Sequence, residues 1–379
     1  MSQKSSEMKA QGIDVINMSV GEPDFMTPGF IKEAGKKAID DNYSKYSPVP
    51  GYPVLREAIV RKLKRENGLD YAASEIIVGT GGKQGVCNAI LALVNPGDEV
   101  VIPAPYWVSY PQMVKLAGGT PVIVPAGIGQ DFKITAAQLE AAVTPKTKLV
   151  ILCSPSNPTG SVYSEEELGE LAKVVLAHDD LFVLSDEIYE HINYIGGHSS
   201  IAACPGMRER TVVCNGVSKA YAMTGWRLGW VAAPEWIVKG LGKLQGQYTS
   251  GTSSVSQMAA VAAYEGDQSC VEAFRETFRR RRDLIVSLAK DIPGLEVNVP
   301  QGAFYLFPDC SAFFGKTDGR RTIGSSTDLA LYLLEEGHVA TVGGDAFGAP
   351  RCFRMSYATS DDNIREALRR IRHVLSKLK

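Results

Sequence analysis

The chain has 379 residues, 45% hydrophobic and 22% charged, with a formal net charge of −2: long enough for a large domain with a smaller partner, and too close to neutral to draw in nucleic acid or anionic lipid. Its seven cysteines are scattered and free of CxxC spacing, which excludes a disulfide framework or zinc site and reads as reduced thiols. The start "MSQKSSEMKAQG" lacks the apolar core of a signal peptide, and no apolar run is long enough to span a bilayer, so a cytoplasmic protein is expected, with neither membrane nor nucleic acid as partner.

In chain order, "INMSVGEPDF" ends in a turn. "EIIVGTGG" reads as a strand and turn, followed by the helix "KQGVCNAILALV". "DEVVIPAPYW" and "KLVILCSPSNPTG" are strands closed by prolines. "SEEELGELAKVVLAHDD" is a helix with Ser164 and Glu167 in capping-box spacing. "LFVLSDEIYE" and "TVVCNGVSK" are apolar strands with polar ends. Continuous apolar strands separated by helices imply an α/β fold with a mainly parallel sheet covered on both faces. After about residue 270 the pattern changes. A long basic helix, "VEAFRETFRRRRDLIVSLAK", precedes the shorter strands "LEVNVPQGAFYLFPD" and "CFRMSYATS". The last helix is expected to open at Thr359 and Asp362, with Ile364, Leu368, Ile371, Leu375 and Leu378 on one stripe. This predicts a large domain over 30–275 and a small α+β domain from 1–29 and 276–379.

Ligands of open parallel sheets bind beyond the carboxyl ends of the strands. Those ends offer, in turn, Gly81-Gly82-Lys83, Trp107, Asn157, Asp186 with Tyr189, and Ser218-Lys219. The glycine turn opens a helix, whose bare amides suit a phosphate. It is no dinucleotide fingerprint, because Gln84 stands where a glycine is needed, and no Walker A loop, because Ile77 does. Alone it reads as an ordinary strand-to-helix turn. Asp186 alone reads as a cap or surface turn, Asn157 in "NPTG" as a turn former, and Trp107 as core filling. Together they suit one flat, phosphorylated, nitrogen-containing ring, with Asp186 keeping the ring nitrogen protonated and Trp107 stacking on it. Lys219 lies among small and apolar residues, with Arg227 as the nearest charge in its segment. Desolvation and a like charge both favour the neutral amine, the form that attacks a carbonyl to give a Schiff base.

The ordered set "VGEPDF", "YSPVPGYPVLREAI", "GTGGKQG", "PYWVSYP", "SPSNPTG", "SDEIYEH", "SKAYAMTGWRLG", "QGAFYLF" and "RMSYATS" resembles the class I aminotransferases of fold type I over nearly the whole chain. It looks most like the bacterial aspartate aminotransferases of the branch that includes prephenate aminotransferases. The resemblance implies pyridoxal 5'-phosphate as cofactor and no metal. It implies that Lys219 joins the cofactor and moves a proton, that Asp186 pairs with the ring nitrogen, and that Tyr189 and Asn157 contact the ring oxygen. Trp107 would stack on the ring, while Gly81, Gly82, Lys83, Ser218 and Arg227 would surround the phosphate. Gly21, Trp107 and Asn157 would line the substrate pocket, and Arg354 would clamp the substrate carboxylate. Tyr46 would reach the phosphate site of a neighbouring subunit in a homodimer. The reaction implied is transfer of the amino group of L-aspartate to 2-oxoglutarate, with Lys83 as the most plausible partner for the side-chain carboxylate, a role that competes with its phosphate one. Prephenate, aromatic or alanine specificity, or a C–S lyase of the same fold, are the alternatives. The chain departs from many relatives at Gly216, where a phosphate-binding serine is common, and in the short stretch ahead of "VGEPDF", which in relatives helps to recognise the substrate side chain.

Overall fold

The computed structural model describes residues 2–379, so Met1 of the expected small domain lies outside the described residues. Twelve strands follow in chain order: β1 Ile16–Asn17, β2 Ile76–Gly79, β3 Glu99–Ala104, β4 Thr120–Pro125, β5 Thr147–Cys153, β6 Phe182–Asp186, β7 Thr211–Gly216, β8 Gly229–Ala232, β9 Tyr305–Leu306, β10 Val339–Ala340, β11 Val342–Gly343 and β12 Phe353–Ser356. Seven of them form the central sheet in the order β2-β8-β7-β6-β5-β3-β4. All pairs in it are parallel except those of β8, which runs antiparallel to both β2 and β7. The chain thus has the fold of the fold-type-I pyridoxal-phosphate transferases. β4 and β8 were not among the expected strands. Gly225, Arg227 and Gly229 masked a four-residue apolar run that packs only because β2 and β7 flank it.

The interior sheet strands and β2 are buried almost throughout, as a sheet covered on both faces requires, whereas the edge strand β4 is largely exposed. Leu168, Leu171 and Val175 of the helix Glu165–Leu176 cover one face, and the predicted capping box forms, with Ser164 accepting from the Glu167 amide and Glu167 from the Ser164 amide. A second core gathers Ile16, Met18, Phe278, Ile285, Tyr305, Met355 and the stripe Ile364, Leu368, Ile371, Leu375 and Leu378. β1 pairs with β10 in parallel, which ties the start of the chain to its C-terminal third. The helix Ser269–Lys290 joins the cores: Val271 packs with Leu55 and Ile59, Phe278 and Ile285 with the C-terminal elements.

Two expectations are corrected. The last helix is capped by Ser360, whose hydroxyl accepts from the Asn363 amide; Thr359, one residue earlier, accepts from the Asn363 side chain instead. Only Tyr305–Leu306 of "LEVNVPQGAFYLFPD" is a strand, since Pro300, Gly302 and Pro308 interrupt the ladder.

Candidate active site

A cavity of about 410 Å³ opens beyond the carboxyl ends of β5, β6 and β7. Gly21, Gly82, Lys83, Trp107, Asn157, Asp186, Tyr189, Ser218, Lys219, Arg227 and Arg354 all line it. Of the expected site residues, Gly81 lies beside it, with its left-handed φ of +82° at the start of the helix Gly82–Leu93. A Cβ on Gly81 would lie 2.5 Å from Arg227 Nη2, so glycine is what lets the guanidinium approach this turn. Arg227 itself adopts φ 54° and ψ 56°, an uncommon backbone for a residue with a side chain. Tyr46 is apart from the cavity and 99% exposed.

The Lys219 amine donates to the Gly21 carbonyl oxygen at 2.7 Å. Burial pulls its pKa down from 10.5 to about 8, with the Arg227 and Arg354 charges acting in the same direction and Glu22 and Asp186 opposing. Asp186 ends β6 and is buried. Burial raises its carboxyl from 3.8 to about 6, against the hydrogen bonds from Tyr110 and the Ile188 amide. The Tyr110 hydroxyl donates to Asp186 Oδ2 at 2.7 Å. Arg354, on β12, is buried and donates from Nη1 to Asn157 Oδ1 at 2.8 Å and from Nη2 to the Ser19 carbonyl at 2.7 Å. Its Nε is buried and unpartnered. The guanidinium carbon lies over the rings of Tyr305 and Phe347, 4.6 and 5.0 Å from their centres. Tyr189 and Tyr305 share a hydroxyl contact of 2.7 Å. Lys83 Nζ sits 4.8 Å over the Trp107 ring.

Sequence reasoning missed Tyr110, Tyr305, Phe347 and Glu22. Tyr110 lies three residues past Trp107 and meets its ring edge-on at 5.3 Å, so the spacing carried a usable signal. Phe347 carried none, because it reaches the cavity only through the path of the chain after β11. The glycine at 216 has a steric cause. A Cβ there would lie 2.7 Å from Gly229 Cα and 2.8 Å from the Leu228 carbonyl oxygen, so the neighbouring β8 leaves no room for a serine.

A family model described as aminotransferase class I and II matches residues 13–371. The chain belongs to the class I and II aminotransferases. It is 50% identical over 371 residues to the aspartate/prephenate aminotransferase of Cereibacter sphaeroides, covering 97% of this chain and 93% of that one. It is 49% identical to a bifunctional aspartate aminotransferase and glutamate/aspartate-prephenate aminotransferase of Petunia hybrida, covering 97% and 78%. Among solved structures it resembles the aspartate aminotransferase of Rhizobium meliloti, with 45% identity, TM-score 0.97 and coverage of 100% and 95%. It also resembles that of Thermus thermophilus with maleate, with 40% identity, TM-score 0.93 and coverage of 98% and 95%. This aminotransferase is a pyridoxal 5'-phosphate enzyme, and its cavity fits that group. The Arg227 guanidinium approaches the start of the helix Gly82–Leu93, the Lys219 amine lines the same cavity, and a buried carboxylate that gains from a proton-bearing partner ends β6.

Proposed function

We propose that this aminotransferase moves the amino group of L-aspartate to 2-oxoglutarate, giving oxaloacetate and L-glutamate in a ping-pong cycle. The observation that carries the reading is one cavity holding both an amine of low pKa, Lys219, and a buried guanidinium with an unpartnered Nε, Arg354. At about pH 7.5, a pKa near 8 leaves about a quarter of Lys219 neutral, against about a thousandth for an ordinary lysine. The neutral Nζ takes the proton from the substrate Cα as general base and, within the same half of the cycle, would hand it on to the carbon that receives the amino group; the other half runs the same shuttle in reverse. Pyridoxal phosphate, when bound, supplies the aldehyde and an electron-withdrawing ring that spreads the charge left at Cα. Asp186 would keep the ring nitrogen protonated, Tyr189 and Asn157 would hold the ring oxygen, and Trp107 would stack on the ring. Gly81, Gly82, Ser218 and Arg227 would bind the phosphate. Arg354 clamps the α-carboxylate, and Lys83 takes either the phosphate or the side-chain carboxylate. A Thermus relative solved with maleate, a four-carbon dicarboxylate, supports a dicarboxylic substrate.

A homodimer in which Tyr46 reaches the partner's phosphate site completes the reading, and the full exposure of that phenol in one chain supports it. The residues contacting substrate come from both units, which we delimit as 30–275 and 1–29 with 276–379. Prephenate is the second acceptor we infer, because relatives carry that name and Val108, Ile188, Val342 and Phe347 give the cavity an apolar side for a ring. A donor screen with 2-oxoglutarate tests both: aspartate should lead over alanine and phenylalanine, with arogenate formation assayed from prephenate. Turnover of alanine alone would overturn the assignment. Lys219→Ala should abolish transfer while the cofactor still binds non-covalently; wild-type turnover by that variant would remove the lysine from its role.

A further inference from the structure

The motif "SDEIYEH" presents two faces. Asp186 and Tyr189 line the cavity. Glu187 and Glu190 are buried on the other side of the same segment, where the proposed chemistry does not use them. Glu190 meets the ammonium of Lys62, a lysine with no exposed surface. Lys62 also donates to Asn67 Oδ1 at 2.7 Å, and Asn67 Nδ2 donates to Glu190 Oε2 at 3.0 Å. Asn67 and Glu66 belong to a π-helical turn, Leu63–Asn67, that continues the helix Pro53–Lys62; such turns recur at functional sites. Glu66 Oε2 lies 3.5 Å from Lys62 Nζ and 2.9 Å from His191 Nε2. Glu187 Oε1 accepts from Ser185 and Ser200 at 2.8 and 2.6 Å, and its Oε2 lies 2.9 Å from His198 Nε2.

Two triads here, Glu66-Glu190-His191 and Glu187-Glu190-His198, have ligand atoms close enough to hold a metal ion. The Lys62 ammonium already supplies a positive charge at Glu190 and counts against that use. Burial would raise the Glu190 carboxyl, yet Lys62, His191 and His198 hold it well below its ordinary range. Buried charge of this kind is held in one geometry, because any other leaves an ion unpaired in a low-dielectric interior. The same segment is pinned by the Glu187 amide to the Cys214 carbonyl at 2.9 Å and the Glu190 amide to the Glu187 carbonyl at 2.9 Å.

We propose that Lys62 is a positioning residue for the active site: through Glu190, and with the Glu187–His198 pair beside it, it fixes the end of β6 so that Asp186 and Tyr189 face the cavity in one arrangement. The inference rests on the roles proposed above for Asp186 and Tyr189. It assigns to Lys62 and Glu190 no contact with substrate or cofactor, so binding of the carboxylates by Arg354 and Lys83 is untouched.

The test uses holoenzyme loaded with pyridoxal phosphate and the variants Lys62→Met, Lys62→Arg and Glu190→Gln. Lys62→Met should lower kcat by about ten- to a hundredfold, the scale on which small misplacements act, with KM for the amino acid unchanged. It should also move the pH midpoint of the cofactor's visible absorbance by about half a pH unit or more, since the carboxylate facing the ring is displaced. Lys62→Arg, which keeps the charge, should recover most of both. Should Lys62→Met fail to fold, Glu190→Gln, which keeps shape and hydrogen bonding, should move both readouts in the same direction. Folded variants with lower thermal stability but wild-type midpoint and kcat would overturn the proposal, leaving the network a matter of stability. Asp186→Asn is the control: if it too leaves midpoint and kcat unchanged, the Asp186 assignment has failed, a different result from failure of Lys62 alone.

Discussion

Replacing Asp186 by asparagine should stabilise the cofactor-free protein at neutral pH. Burial raises the Asp186 carboxyl from 3.8 to about 6 in the folded chain. Between those values the folded chain holds a proton that the unfolded chain has released, so stability falls as pH rises through the window. At about 1.4 kcal/mol per pH unit, the difference between 3.8 and about 6 corresponds to about 3 kcal/mol. That penalty is absent below the lower value and complete above the upper one. Asparagine carries no charge at any pH and its side-chain oxygen can still accept from Tyr110. The unfolding free energy of Asp186→Asn, relative to wild type, should therefore gain about 3 kcal/mol between acid and neutral pH. Urea melts of the cofactor-free proteins at stepped pH measure it. Loading the cofactor should narrow the gap, because a protonated ring nitrogen neutralises the carboxylate. A difference between the two proteins that stayed flat with pH would refute the claim that burial strains this carboxyl.

Tyr110→Phe removes the donor that opposes burial at Asp186; the acid limb of the pH–activity profile should move up by about one to two pH units, a hydrogen bond to a charged group being worth about 1.5–3 kcal/mol. Arg354→Ala should raise KM for every amino-acid substrate by about a hundredfold, because alanine cannot offer the α-carboxylate a charged, two-pronged donor, and equal KM for variant and wild type would remove the clamp. Gly216→Ser should lower thermal stability, by about 1–3 kcal/mol as for overpacking, because β8 backbone stands where the Cβ would be; calorimetry reads it directly.

How much was legible can be judged from particular residues. Lys219 stood out because an ammonium among small, apolar neighbours is a local anomaly, and the fold lowers its pKa for the predicted reasons, desolvation foremost. Ser164 and Glu167 signalled a helix start across three residues, and the capping box formed. The cap of the last helix was misread by one residue because Thr359 and Ser360 offer equivalent hydroxyls, and only the backbone path selects between them. Nothing local marks Lys62. It is one more charge in a basic helix, "REAIVRKLKREN", and its complete burial depends on a carboxylate 128 residues away.

By itself the sequence determined many of the elements, the chemistry offered at the strand ends, and the family to which these motifs belong, since periodicity, capping and turn chemistry act between near neighbours. Tertiary structure decided the antiparallel insertion of β8, the exclusion of a side chain at 216, the Tyr110–Asp186 contact and the meeting of Arg354 with Asn157, 197 residues apart. Those depend on which distant surfaces pack together and how close their backbones come, and close packing fixes such distances only once the whole core has assembled.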